Sequence, residues 1–294
     1  MKKRAWIMAG MLMAGLLTGC SGGGTETTEA DATAAVTAES TGETETEAQE
    51  GENTETESEA ADQEPVTILA AAAASLEYSF SEQLIPMFQE QYPWITVEGT
   101  YDSSGKLQTQ IEEGLDADIF MSAATKQMDA LNEEGLVVEE TVTDLLENKI
   151  VLIVPAGSEG TITSFEEIGN ASAIALGDPA SVPVGQYSQE SLTNLGIWDQ
   201  IQDKVSFGTN VTEVLNWVAE GSADAGIVYS TDAATTDRVT VVAEAPEGSL
   251  AEPVIYPVAV VSASTKQEAA NLFLEFLKSD EALAVFESYG FAAR

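Results

Sequence analysis

Beyond Pro65 the apolar positions fall into two rhythms. Short runs at 66–71 (VTILAA), 95–101 (ITVEGTY), 117–123 (ADIFMSA), 149–155 (KIVLIVP), 173–177 (AIALG), 205–208 (VSFG), 225–230 (AGIVYS), 239–243 (VTVVA) and 256–261 (YPVAVV) read as strands. Between most of them the apolar residues take helical spacing. Leu76, Phe80, Leu84, Ile85 and Phe88 share one face, as do Val211, Val214, Leu215 and Val218. Pro86 sits inside the first of these patterns and is expected to kink or break its helix. Strand–helix alternation predicts an α/β fold with largely parallel sheets, and nine strands in this length suit two lobes. The run Ala70–Ala74 stands apart. Alanine fills little volume, so five in a row, ending at Ser75, imply close approach to the backbone.

The pattern changes sharply before Pro65. Residues 1–20 carry Lys2, Lys3 and Arg4, then an apolar run from Ala5 to Leu17 that is short for a bilayer span. It ends Leu17-Thr18-Gly19-Cys20, which resembles the lipobox of bacterial lipoproteins. That resemblance implies cleavage before Cys20 and lipidation of its thiol; the alternative is an ordinary signal peptide with an incidental cysteine. Residues 21–64 hold fourteen acidic residues and no Lys or Arg. Such a segment cannot bury enough surface to offset ordering, and its like charges extend it. It reads as a disordered spacer between membrane and domain, with an acidic interaction tail as the alternative.

Charge and composition then remove whole classes of function. The chain has 50 acidic and 11 basic residues, a formal net charge of −39. Fourteen acidic and three basic residues lie in 1–64, so the remainder holds 36 and 8, formally −28. This argues against nucleic-acid partners and against electrostatic docking on anionic lipid. There is no histidine, so Ser-His-Asp and Cys-His catalysis are excluded. Cys20 is the only cysteine and has no internal disulfide partner.

Four junctions between strand and helix carry candidate chemistry, since ligands of open α/β sheets bind at the carboxyl ends of strands. Ser75 is placed as the N-cap of the first helix, serving either that helix alone or an anion at its positive end. Asp102-Ser103-Ser104-Gly105 puts two hydroxyls and a glycine at a second helix start. In GDPASVPVGQY (177–187), Pro179 and Pro183 stiffen a loop that leads through Val184 and Gly185 into a third helix. Asn210 with Glu213 has the spacing of a capping box, making Val211 the first helical residue, with an N–H lacking an intrahelical acceptor.

AAAAASL (70–76), DSSGKL (102–107), ADIFMSA (117–123), GDPASVPVGQY (177–187), GIVYSTDA (226–233) and YPVAVV (256–261) occur in the order found in molybdate-binding proteins of ABC importers, and from about Val66 to Phe291 the chain resembles that family. The resemblance implies a type II periplasmic-binding-protein fold. It has two α/β lobes, each a mostly parallel sheet flanked by helices, with crossing strands as a hinge. Lobe I is then 65–148 with 257–294, and lobe II is 149–256. It further implies an oxyanion held by neutral donors: the hydroxyl and N–H of Ser75 and of Ser104, the N–H of Val184 and of Val211, and the phenol of Tyr229. Gly105 stands where some relatives have a third serine. Molybdate and tungstate are fully ionised tetrahedral dianions that need donors and no acceptor, whereas phosphate usually keeps a proton that a carboxylate could accept.

The expected protein is therefore a monomeric, lipid-anchored, extracytoplasmic substrate-binding protein for molybdate or tungstate. It needs no cofactor, and it delivers its cargo to an ABC permease with a separate ATPase subunit. The alternatives are capture of sulfate, another small anion or ferric ion (with Tyr187 and Tyr229 as conceivable iron ligands), a surface enzyme using Ser-Lys or carboxylate chemistry, and an adhesive surface lipoprotein.

Overall fold

The computed structural model describes residues 63–294. The expected signal peptide, Cys20 and all but the last two residues of the expected spacer lie outside them. Eleven strands are described: β1 (Val66–Ala73), β2 (Ile95–Asp102), β3 (Ile119–Met121), β4 (Thr143–Asn148), β5 (Ile150–Pro155), β6 (Ile174–Gly177), β7 (Val205–Gly208), β8 (Ala225–Tyr229), β9 (Val239–Glu244), β10 (Val254–Val260) and β11 (Ala292–Ala293). They form two sheets, ordered β11-β4-β10-β3-β1-β2 and β7-β6-β8-β5-β9. Helices pack on these sheets: α1 (74–91), α2 (Ser104–Glu112), α3 (Thr125–Glu133), α4 (Pro183–Asn194), α5 (Val211–Ala219), α6 (Gln267–Leu277) and α7 (Asp280–Ser288).

The sheets are mixed and not largely parallel. Pairings β1–β2, β1–β3, β6–β7 and β6–β8 are parallel, while the other five are antiparallel. The reason lies in the connections. Strands reached through a helical crossover run parallel, as right-handed βαβ units do. β4 instead passes straight into β5 across Lys149, and β9 returns to β10 through 245–253, so these strands enter their sheets from the other sheet. Those two passages join the sheets. β4 had no counterpart among the expected strands; its TDLLEN sequence mixes charged and apolar residues without clean alternation.

β1 shows why alanines were used. It lies between β2 and β3, and its last four residues are buried. Ile68, Ala70 and Ala72 join the core under α1 and α6, which includes Phe80, Phe88 and Phe273. Ala71 faces the opposite way, into a smaller cluster with Leu107, Ile111, Phe120 and Met128. Small side chains thus let helices approach both faces of a central strand.

α1 differs from its expected form in two respects. It opens as a 3-10 turn at Ala74–Leu76 whose cap residue is Ala73, so Ser75 lies in the first turn and is not the N-cap. Pro86 does not break it. A π-helical stretch, Phe80–Leu84, directly precedes the α-helical segment Ile85–Gln91, in which Pro86 stands at the start. Widening the turn before a proline accommodates its ring and its missing donor.

Candidate functional site

A small, nearly closed cavity lies between the carboxyl ends of the two sheets' strands. From the first sheet it is lined by Ala73, Ala74, Ser75, Asp102, Ser103, Ser104 and Ala123. From the second come Val182, Pro183, Val184, Val211 and Tyr229. All five expected positions, Ser75, Ser104, Val184, Val211 and Tyr229, therefore meet on one surface. α1, α2, α4 and α5 all begin on it. Each helix start leaves N–H groups without intrahelical acceptors and carries the positive end of a dipole. Convergence of four such ends favours an anion.

On the first sheet's side the donors are hydroxyls. Ser75 Oγ lies 2.9 Å from the Tyr256 hydroxyl. Either hydroxyl can donate in that bond, and the neighbours allow Tyr256 to do so. Asn148 Oδ1 accepts from the Lys149 N–H at 2.8 Å, which fixes the amide, so Nδ2 donates to the Tyr256 hydroxyl at 3.2 Å and to Thr231 Oγ1 at 2.9 Å. Tyr256, accepting from Asn148, can give its own proton to Ser75 Oγ, an arrangement that leaves the Ser75 proton for the cavity. Ser104 Oγ accepts from the Ala123 N–H at 3.0 Å, and its proton is likewise free. Asn148 and Tyr256 were not among the expected site residues. Asn148 ends the unrecognised β4, and Tyr256 carries no signal beyond its place in a strand.

On the second sheet's side the donors are two backbone groups and the Tyr229 phenol. Asp178 folds the proline-rich loop by accepting from the N–H groups of Ser181 and Val182 at its carbonyl and from that of Ala180 at its carboxylate. Pro183 becomes the first residue of α4 and Val184 the second. Gly185 is required here, because a Cβ would stand 2.2 Å from the Gly177 carbonyl oxygen. At α5 the Asn210 side chain accepts from the Glu213 N–H at 2.9 Å, as the spacing predicted. The Glu213 carboxylate reaches back to Thr209 N–H at 2.7 Å, one residue earlier than in an ordinary capping box. Val211 is the first helical residue.

Tyr229 is 2% exposed and donates to the Ala123 carbonyl across the cleft at 3.2 Å. To serve a ligand its single proton must turn from that carbonyl. Burial holds the Tyr229 and Tyr256 phenols well above the usual tyrosine range, reinforced by Asp232 nearby. Both stay protonated donors at neutral pH, which suits an anion. Tyr187 does not line the cavity.

One carboxylate does line it. Asp102 was not expected to contribute, and its charge is engaged: it accepts from the Ser103 N–H at 2.7 Å and pairs with Lys106 at 3.0 Å. Further contacts bridge the two walls. The Gly105 N–H donates to the Ser181 carbonyl at 3.0 Å, and the Gln127 amide donates to that of Gln186 at 3.3 Å. Among the described residues there is no group of three or more His, Cys, Asp or Glu able to hold a metal ion, and no helix is long and apolar enough to cross a membrane.

Comparison with known proteins agrees with this geometry. A Bacillus subtilis (strain 168) protein with the provisional name of an ABC transporter substrate-binding lipoprotein, YvgL, is 41% identical over 72% of this chain and 81% of its own. The molybdate-binding protein ModA of Haemophilus influenzae is 40% identical over 72% of this chain and 85% of its own. A solved substrate-binding domain from Clostridium difficile, provisionally named for a molybdenum ABC transporter, superposes with a TM-score of 0.61. It is 38% identical and covers 77% of this chain and 98% of that domain. Residues 68–292 match the family described as bacterial extracellular solute-binding protein, and the chain belongs to that family.

Proposed function

We propose that this protein captures molybdate or tungstate between its lobes and delivers it to an ABC permease with a separate ATPase subunit. The observation that carries the reading is the convergence of four helix starts on one small cavity whose free groups are donors. A fully ionised tetrahedral dianion needs such a set. Each charge-assisted hydrogen bond contributes ~1.5–3 kcal/mol, so several together support sub-micromolar binding after entropic costs. The names of the relatives point to the same ion.

Ser75, Ser104, Val184, Val211 and Tyr229 are assigned as its donors. One lobe comprises 65–148 with the chain beyond the second crossing, the other the segment between, close to 149–256. The passages at Lys149 and 245–253 serve as the hinge. Cys20 carries the lipid anchor and 21–64 the spacer, which holds a monomeric binding protein at the outer face of the cell membrane. The site is for binding and not for catalysis.

Isothermal titration with molybdate, tungstate, sulfate and phosphate tests the reading. Tight binding of the first two is expected. No heat with any of the four overturns the anion site, and equal affinity for sulfate overturns the selectivity. Cys20→Ala should release the protein from membranes, and retention there overturns the anchor.

A further inference from the structure

The cavity wall holds a hydroxyl outside the five assigned donors. Ser103 precedes α2 in the extended backbone conformation of a helix cap, φ −62° and ψ 141°. A serine there ordinarily accepts from an N–H two or three residues on. Here it makes no such bond. The Gly105 N–H goes across the cleft to Ser181, and the Lys106 N–H bonds the Ser103 carbonyl at 3.0 Å. The Ser103 N–H is held by Asp102. Its backbone is therefore engaged at both ends and its cap acceptor role is displaced. The hydroxyl alone is left: Ser103 is 3% exposed, lines the cavity, and its Oγ has no hydrogen-bond partner among the described residues. Buried hydroxyls are costly without partners and are nearly always satisfied.

We propose that the Ser103 hydroxyl is a further donor to the bound oxyanion. The inference rests on the anion-binding reading above. An unpaired hydroxyl penalises the empty closed site and is relieved by a ligand oxygen, so Ser103 widens the gap between loaded and unloaded protein. A serine that merely shaped the helix start would act in both states alike.

Molybdate titrations of the wild-type protein and Ser103→Ala, with thermal melting of both unliganded proteins, test this. Binding about tenfold weaker in the variant is expected, together with an unliganded melting temperature that is unchanged or raised. Equal affinity overturns the inference while leaving the anion site intact. A lowered unliganded melting temperature, or a variant that fails to fold, makes the hydroxyl a structural cap and also overturns it. A wild-type protein that binds none of molybdate, tungstate, sulfate and phosphate overturns the functional reading, and this inference with it.

Discussion

The two walls of the cavity offer the same chemistry by different means. The first sheet supplies hydroxyls: Ser75 and Ser104, bonded to Tyr256 and to the Ala123 N–H, and Ser103, whose Oγ has no partner among the described residues. The second supplies, beside the Tyr229 phenol, backbone N–H groups at the starts of α4 and α5, where the side chains are Val184 and Val211. A hydroxyl donor is lost with its side chain. An N–H donor survives every substitution except proline, and its aim is set by the capping and loop residues around it. The contrast separates residues assigned to bind through what they are from residues assigned to bind through where the backbone puts them.

Substitutions can break this contrast in order of expected effect. Val211→Pro should be the most damaging to affinity, up to about a hundredfold or ~3 kcal/mol. Proline is tolerated at the first helical position, and Asn210 already has the extended backbone that a following proline demands. The variant should fold normally and bind poorly in a titration; full affinity would remove the Val211 N–H from the site.

Asp232 sharpens the contrast from behind the second wall. Burial pushes its carboxyl up to about 7, partly offset by backbone N–H groups of Tyr229 and Asp232, and Oδ2 has no partner. Its folded pKa lies above its unfolded one, so the folded protein binds the extra proton. The penalty is absent near pH 4, grows as pH rises toward 7 and is complete above it. Asp232→Asn should therefore stabilise the protein by up to about 4 kcal/mol at pH 8, with the gain vanishing below about pH 4. Melting curves at the two pH values check this, and a gain independent of pH would remove ionisation as its cause.

Ser75→Ala should weaken binding about tenfold, ~1–2 kcal/mol, by deleting one hydroxyl. Val211→Ala is the mirror test: affinity should move less than about twofold, because the N–H remains, while stability falls by ~1–2 kcal/mol from lost burial. If the alanine variant loses as much affinity as Ser75→Ala, the distinction between the walls fails. The smallest effect expected is kinetic. A dianion approaches a domain of formal charge −28, so added salt should screen repulsion and raise the association rate a few-fold in stopped-flow measurements. A rate that falls with salt would reveal local attraction stronger than the overall charge.

The same contrast explains what could be read before folding. Nine strands and their helices were visible because apolar runs and 3.6-residue spacing report burial directly. β4 was not, since TDLLEN reports it weakly. Ser75 and Ser104 advertise themselves by residue type, although the cap role expected of Ser75 fell to Ala73. Val184 and Val211 have no chemical signature; only Pro183 and the Asn210–Glu213 spacing marked the helix starts that expose them. The mixed pairing escaped notice because parallel or antiparallel direction depends on which sheet a connection comes from. Asn148 and Tyr256 reach Ser75 through contacts more than a hundred residues apart in sequence, which no local pattern encodes.

The meeting of Gly105 and Ser181 has a consequence beyond hydrogen bonding. A Cβ at 105 would stand 2.4 Å from the Ser181 carbonyl oxygen, so backbone meets backbone with no side chain between. Such a contact is a hard stop. The pair sets the closest distance at which the two walls can meet, and any side chain at 105 would hold them further apart.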